Sequence, residues 1–223
     1  MADLVCEADQ RSGGLVIKRL ESMFDCICID EVQDLVGHDL DLLDRLFAAD
    51  LEVLLVGDPR QFTYSTSDTS RNKKYRGAGF ADWLSERSSL CVREDRHESA
   101  RCNQEICDFA SALFPSEPAM GSANHDRTGH DGIFKLRESE VPRYVKDYQP
   151  QVLRNKKTSN TLGYPAMNFG VSKGSTFDRV LIFPTKPMLQ YLQHGDVSKL
   201  KDPHRFYVAV TRARFSVAFV VGK

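Results

Sequence analysis

The stretch Phe24–Asp34 is the feature that most constrains what this chain can fold into. An apolar run with β-branched residues ends abruptly in two adjacent acids, Asp30 and Glu31. Such a run is typical of a buried parallel strand, and open α/β sheets bind ligands at the carboxyl ends of their strands. One acid at that position is suited to hold Mg²⁺, and the other to orient or deprotonate a water, as nucleotide hydrolysis requires. An acid pair after a strand also occurs without this chemistry.

A second apolar run repeats the arrangement. Residues 51–56 are followed by a sharp turn, Gly57-Asp58-Pro59-Arg60-Gln61. We therefore predict that Asp58 and Gln61 lie at the same sheet edge as the acid pair. The neutral amide of Gln61 is suited to sense a terminal phosphate or its attacking water. The alternative is an ordinary polar turn.

Five segments resemble, in order, the motifs of superfamily 1 helicases of the UvrD/Rep type. From motif II (the Walker B box) to motif VI, these segments are Asp30–Asp34, Gly57–Gln61, Glu94–Arg96, Val171–Asp178 and Phe206–Arg214. The resemblance implies an α/β fold with RecA-like parallel sheets. It implies a partial first domain, the C-terminal half of a RecA-like domain, over residues 1–92. A nearly complete second RecA-like domain would occupy residues 93–223.

The same resemblance implies roles in ATP hydrolysis for residues of the first domain. Asp30 would hold Mg²⁺, directly or through water, and Glu31 would act as the base or orient the water. Gln61 would report the γ-phosphate. ATP and Mg²⁺ are therefore the expected cofactors.

The resemblance also implies phosphate-binding residues in the second domain. Arg96 and Arg212 would approach the γ-phosphate as arginine fingers and stabilise the charge of the transferring phosphoryl group. Lys173 and Gly174 would lie near nucleotide or strand phosphate. The family usually has an aromatic residue before the motif IV arginine, and this chain has Asp95 there.

A basic loop after motif III resembles the DNA-contacting element of these helicases. In relatives, aromatic side chains here stack on bases, and Tyr64 and Tyr75 resemble them; such stacking tolerates any base sequence. The cations of the loop that would attract phosphate are Arg71, Lys73, Lys74 and Arg76. The alternative is a solvated basic loop with one tyrosine in the core.

No Gly-x-x-x-x-Gly-Lys-Ser/Thr motif occurs in the sequence. The stretch before Asp30 is too short for the strand and loop that carry a P-loop. We therefore expect the C-terminal part of a helicase, begun late or truncated, whose missing upstream P-loop segment is a required partner.

Two functions remain open. The first is the motor portion of an ATP-dependent 3′-to-5′ DNA helicase, which couples ATP hydrolysis to translocation on single-stranded DNA or DNA with a single-stranded tail. This chain alone would be inactive without the P-loop. The second is a non-catalytic remnant that binds nucleic acid or a partner protein.

Composition predicts a cytoplasmic protein that does not contact the membrane. Hydrophobic residues make up 41% of the chain, enough for a core, and no run approaches the ~20 apolar residues of a membrane span. The net charge of −1 leaves nucleic-acid binding to local patches. The six cysteines form no pair of Cys-x-x-Cys units, which favours reduced, mostly buried thiols over structural zinc. Cys26 and Cys28 are expected to face opposite sides of their strand.

Hydrophobic periodicity predicts alternating helices and strands, which favours parallel sheets. The predicted helices cover residues 15–23, 39–49, 80–84, 99–113 and 203–214. The predicted strands cover residues 24–29, 51–56, 90–92, 133–136, 151–153, 165–169, 179–183 and 216–221.

Overall fold

The structure, a computed structural model, describes residues 1–63, 69–77 and 79–222. The chain divides into two compact units, Met1–Glu94 and Asp95–Lys223. All strand pairs in the described ranges are parallel. The predicted α/β class with parallel sheets is thereby confirmed. None of the described helices is long and apolar enough to cross a lipid bilayer.

The described residues of the first unit form a two-stranded sheet and four α-helices. Strands β1 (Cys26–Ile29) and β2 (Glu52–Leu55) pair in register from Cys26–Glu52 to Ile29–Leu55. The helices are α1 (Ala2–Arg11), α2 (Leu15–Met23), α3 (His38–Phe47) and α4 (Gly79–Ser85). The amphipathic pattern that predicts α3 matches its burial, since its inward leucines are all less than 5% exposed.

Within the described residues of this unit, one face of the sheet is covered and the other is exposed. Ile27 and Ile29 of β1 pack with the α3 leucines and with Trp83 of α4. On the other face Cys26 and Cys28 are exposed, with their Sγ atoms 3.8 Å apart. The expectation that these cysteines face opposite sides is wrong, because residues two apart in a strand point to the same side.

The second unit is a five-stranded parallel sheet with helices on both faces. The strand order is β5-β9-β8-β6-β7, and a separate two-stranded sheet joins β3 to β4. The strands are β3 (Glu98–Ser99), β4 (Gly121–Ser122), β5 (Gly132–Arg137), β6 (Gln151–Arg154), β7 (Met167–Asn168), β8 (Phe177–Phe183) and β9 (Ala213–Gly222). The helices are α5 (Gln104–Ser111), α6 (Val141–Tyr148), α7 (Lys186–His194) and α8 (Pro203–Val210).

Burial on both faces explains why the central strands of this sheet are continuous apolar runs. In β8, Val180 and Ile182 pack into a cluster with residues of α5, α7 and α8. The alternate residues Leu181 and Phe183 pack on the opposite face with residues of α6. All four are less than 9% exposed, as expected for a parallel strand between two helical layers.

Several predicted boundaries differ from the structure. Helix α5 begins at Gln104 rather than at residue 99, because the Asn103 side chain caps it by accepting a hydrogen bond from the Ile106 amide at 3.1 Å. Helix α8 ends at Val210, four residues early, and β9 starts at Ala213. Residues 90–92 form no strand. Helices α1, α6 and α7 were not predicted.

Candidate functional site

Asp30 and Glu31 lie directly after the carboxyl end of β1. Asp30 is exposed, and its Oδ1 accepts a hydrogen bond from the Glu31 amide at 2.7 Å. Glu31 has a φ of 55°, a left-handed conformation that residues other than glycine seldom adopt. The chain then enters a short 3₁₀ helix, Val32–Asp34. The strand therefore stops at the acid pair, and both carboxylates stay at the sheet edge.

The buried side chain of Gln33 connects this acid pair to the end of β2. Gln33 is 1% exposed. Its Nε2 donates to Glu31 Oε2 at 2.5 Å, and its Oε1 accepts from the Asp58 amide at 3.1 Å. One amide group thus uses both its donor and its acceptor to hold the catalytic candidate Glu31 at a fixed distance from the neighbouring turn.

Gly57 is required by the close approach of Gln33. A Cβ at residue 57 would overlap Gln33 Oε1 and would lie 2.8 Å from Val32 Cγ2. Contacts this short do not occur between real atoms, so any side chain here would displace the bridging amide. The glycine that the sequence shows as a turn former is therefore needed for space at the site.

The turn after β2 places Gln61 at the same edge. The Asp58 carboxylate accepts hydrogen bonds from the Arg60 amide and side chain, each at 3.0 Å, and from Gln61 Nε2 at 3.2 Å. Residues Pro59–Gln61 form one 3₁₀ turn. A continuous set of hydrogen bonds therefore runs Glu31–Gln33–Asp58–Gln61 and joins the residues predicted from motifs II and III.

The chemistry of this edge fits a magnesium nucleotide. Mg²⁺ in nucleotide sites takes one or two protein carboxylates and fills its other positions with water and phosphate oxygens. The exposed Asp30 carboxylate can supply one such ligand. In the described ranges no three or more His, Cys, Asp or Glu side chains cluster so as to hold a metal by protein ligands alone. A carboxylate ligand beside a fixed glutamate is the arrangement that phosphoryl transfer to water needs.

The basic loop does not present Tyr75 to a ligand. Its ring is 7% exposed and packs in the core with Phe80 and Trp83. The hydroxyl donates to Glu86 Oε2 at 2.5 Å, and this bond holds the pKa of the Glu86 carboxyl below its usual value. The prediction that Tyr75 stacks on bases is therefore corrected, since a buried ring has no free face for a base. Tyr64 lies outside the described residues.

The cations of the same loop are held in different ways. Arg71 is anchored to α3, because its Nε and Nη2 donate to Asp41 at 2.6 and 2.9 Å. Arg76 donates to the Thr69 carbonyl at 2.6 Å and is half-buried. Lys73 and Lys74 are exposed in a 3₁₀ turn, although Lys74 also lies 3.4 Å from Glu86.

In the second unit, the structure brings motif VI against motif V. Arg212 is 1% exposed. Its Nε donates to the Val208 carbonyl at 3.1 Å and its Nη1 to the Ser175 carbonyl at 3.4 Å. Lys173 is half-buried, and Gly174 is exposed with a φ of 79°, in the turn between β7 and β8. Carbonyl oxygens thus fix the Arg212 guanidinium, and they compensate part of the cost of burying its charge.

Arg101 also lies against motif VI. Arg101 Nη1 donates to the Thr211 carbonyl at 3.2 Å, next to Arg212 in the chain. Arg96 is exposed in an irregular segment before β3. Sequence reasoning missed Arg101, because its partner, the Thr211 carbonyl, is 110 residues away in the chain.

The sequence of residues 15–221 matches the family model of the viral superfamily 1 RNA helicase core domain. The chain belongs to this family. The superfamily 1 helicase assignment made from the motifs is confirmed at this level. No curated protein matches the sequence significantly.

Solved helicases share the fold of this helicase core domain. The PRRSV helicase is 19% identical with a TM-score of 0.53, over 86% of this chain and 34% of that one. Arterivirus nonstructural protein 10, a helicase, is 20% identical with a TM-score of 0.53, over 86% and 38%. The structure of the same arterivirus protein in complex with DNA is 19% identical with a TM-score of 0.51. The match covers 86% of this chain and 38% of that one. The chain therefore spans little more than a third of the length of these helicases.

Two lysines of this helicase core domain also escaped sequence analysis. Lys156 and Lys157 are exposed and follow the carboxyl end of β6. This is the edge at which parallel sheets bind ligands. Next to them, Arg154 Nε donates to Asn168 Oδ1 at 3.1 Å and joins the ends of β6 and β7. A pair of lysines in a loop carries no recognisable pattern, so only the strand order identifies their position.

Proposed function

We propose that this chain is the motor portion of a superfamily 1 helicase, which couples ATP hydrolysis to movement along a single nucleic-acid strand. The observation that carries the proposal is the set of hydrogen bonds Glu31–Gln33–Asp58–Gln61 at the carboxyl ends of β1 and β2. It fixes a glutamate and a glutamine of the two predicted motifs beside one exposed aspartate. The family match to a helicase core supports the same conclusion.

The roles proposed for these residues follow from their chemistry. Asp30 supplies a carboxylate oxygen to Mg²⁺, which would neutralise phosphate charge when bound with the nucleotide. Glu31 orients the attacking water and accepts its proton, and Gln33 keeps the Glu31 carboxylate in place. Gln61 donates to or accepts from the terminal phosphate or that water.

Two arginines supply positive charge to the transferring phosphoryl group in this proposal. Arg212 keeps the role predicted from motif VI. Arg96 keeps its predicted role as the companion of Arg212. Arg101 is a further candidate, because it is held beside the Arg212 backbone by the Thr211 carbonyl. A preorganised cation stabilises charge that develops in the transition state without having to reorganise. Lys173 and Gly174 stay proposed phosphate neighbours.

The strand that the motor would move along is proposed to contact Lys156 and Lys157, with Lys73 and Lys74 as further phosphate contacts. The motif resemblance predicts single-stranded DNA, movement from 3′ to 5′ and a UvrD/Rep-like type. The matched family is described as RNA helicases, and one arterivirus neighbour is complexed with DNA. We therefore propose single strands of either kind as ligands, with RNA favoured by the family.

The absence of a P-loop motif favours a second candidate, a non-catalytic helicase-like module that binds nucleic acid or a partner protein. Backbone N–H groups and a lysine of a P-loop normally cradle the β- and γ-phosphates. We propose that ATP turnover requires such a segment in addition to this sequence. The cytoplasmic location stays a prediction.

Binding and turnover assays test both candidates. We expect the purified chain to bind fluorescently labelled oligouridylate or oligothymidylate and to hydrolyse ATP negligibly. Lys156→Gln with Lys157→Gln should lower the slope of log affinity against log salt by about 0.7 for each phosphate that is no longer neutralised. Lys146→Gln, an exposed position on α6, is the matched control. ATP turnover that is abolished by Glu31→Gln would refute the need for a P-loop, and an unchanged salt slope would refute the lysine contacts.

A further inference from the structure

A groove in the second unit lies at the edge of the sheet opposite Lys156 and Lys157. It has a volume of about 570 Å³ and lies at the amino ends of β6 and β8. Two chain segments line it, residues 148–151 and 176–179. Neither of these segments carries a side chain to which the proposed function gives a role.

Arg179 brings a positive charge to this groove. Its Nη2 donates to Thr128 Oγ1 at 2.8 Å. Its Nε is buried and has no hydrogen-bond partner in the part of the chain that the structure describes. The neighbouring carboxylate of Asp178 is engaged instead by Arg214, at 3.3 Å. A guanidinium that faces a groove favours an anionic acceptor, and phosphate oxygens match its geometry.

Tyr148 gives the groove an aromatic wall with rigid support. The His130 imidazole stacks on the Tyr148 ring at 3.7 Å between centroids, and Phe134 stacks on His130 at 4.0 Å. The Tyr144 hydroxyl and His130 Nε2 are hydrogen-bonded at 3.0 Å. Burial, and to a smaller extent the charge of Arg179, lowers the pKa of His130. The stack of Phe134, His130 and Tyr148 is therefore neutral at pH 7.

The remaining wall is largely polar and includes the Asp178 carboxylate, which is paired with Arg214. Gln149, Gln151 and Thr176 contribute amide and hydroxyl groups. The Arg179 guanidinium lies 5.9 Å from the centre of the Tyr148 ring. The spacing between ring and cation suits a ligand that has a flat apolar body joined to an anion a few ångströms away.

We propose that this groove binds a nucleotide unit, with its base against Tyr148 and its phosphate at Arg179. Stacking on an aromatic ring is available to every base, so the site would select the class of ligand rather than the base. Two sources offer this chemistry: a free nucleoside triphosphate, or one nucleotide of a bound strand. The site goes beyond the proposed motor, since it lies at the opposite strand ends from Lys156 and Lys157.

Equilibrium binding to the full chain tests this site. The probes are a fluorescent ATP analogue and 5′-labelled oligouridylate, and the variants are Arg179→Gln and Tyr148→Leu. Each variant should weaken the same probe by about tenfold, as expected when one stacking or charge-assisted interaction is removed. Arg143→Gln, an exposed arginine on α6 paired with Asp147, is the matched control and should stay within about twofold.

The outcomes distinguish a free nucleotide from a bound strand as the ligand of the groove. They also distinguish failure of this site from failure of the proposed motor. A loss confined to the ATP analogue identifies a free nucleotide, and a loss confined to oligouridylate identifies a strand. Tyr148→Phe keeps the ring and should bind as wild type, so a defect in Tyr148→Leu that is shared by Tyr148→Phe would point to folding and overturn the stacking role. Equal binding of wild type and Arg179→Gln, or no binding of either probe, overturns the site. The Lys156 and Lys157 variants report the motor's strand contact separately.

Discussion

The bridge formed by Gln33 makes a quantitative prediction about the first unit. In Gln33→Ala, Glu31 loses a hydrogen-bond donor and the Asp58 amide loses its acceptor. A bond to a charged group contributes about 1.5–3 kcal/mol and a neutral one about 0.5–1.5 kcal/mol. We therefore expect the variant to lower the free energy of unfolding by about 2–4 kcal/mol.

Gly57→Ala should disturb the same Gln33 bridge by steric overlap. The new Cβ would overlap Gln33 Oε1. Overpacking of this kind costs about 1–3 kcal/mol. In the double variant the Gln33 amide is gone, and only the contact with Val32 remains short. The cost of Gly57→Ala should therefore fall by about 1 kcal/mol in the Gln33→Ala background, within the range for residues in contact.

Urea unfolding followed by tryptophan fluorescence measures this coupling in the right unit. The chain has one tryptophan, Trp83, and it is 1% exposed in the core of the first unit. Its emission therefore reports that unit alone. Gln10→Ala, an exposed residue of α1, is the control and should change stability by no more than about 0.5 kcal/mol. Additivity of the two variants within about 0.5 kcal/mol would show that the amide does not occupy the space above Gly57.

Three further predictions follow from single contacts. Burial raises the pKa of Asp41, but hydrogen bonds to its carboxylate, above all those from Arg71, outweigh burial and hold the pKa below its usual value. Asp41→Asn should therefore lower the free energy of unfolding by about 1 kcal/mol above pH 4. In urea titrations this difference should begin to decline as the pH falls below about 4, and it should be lost as the pH falls through the depressed pKa of folded Asp41, because the carboxylate stabilises the fold only while it is ionised. Tyr75→Phe should lower the free energy of unfolding by about 1 kcal/mol in the same urea assay. Its affinity for oligonucleotide should stay unchanged, and weaker binding would support the stacking role after all. In a helicase that includes a P-loop segment, Arg101→Gln should lower kcat by about 10³-fold or more; an unchanged kcat would refute the assignment.

The parts of the fold that were predicted correctly are those set by local periodicity. The strand before Asp30 and the strand predicted over residues 179–183 each carry a pattern that is readable within a few residues. Helices α1 and α7 were missed because their apolar residues are few and interrupted by charged or amide side chains. The predicted strand over residues 90–92 was wrong because a run of three residues carries too little periodic information.

The site was predicted as a set of motifs but not as a set of contacts. Asp30, Glu31 and Gln61 could be placed at one edge, because the carboxyl ends of parallel strands meet there. The bridging role of Gln33 depends on an amide 25 residues away in sequence, at Asp58. Arg101 likewise depends on a carbonyl 110 residues away, that of Thr211. No local pattern encodes such distances, so these two residues appear only in the folded chain.

The same contacts explain how the first unit keeps a defined site on a small sheet. Two strands with one covered face are a weak platform, since a two-stranded sheet is marginal without packing. Cys26, Cys28 and Leu54 lie exposed on its other face. The position of Glu31 therefore cannot rest on the sheet alone. It rests on the buried amide of Gln33, which ties the ends of both strands together. For this reason a change at the buried Gln33 should disturb the proposed chemistry as much as a change in the sheet itself.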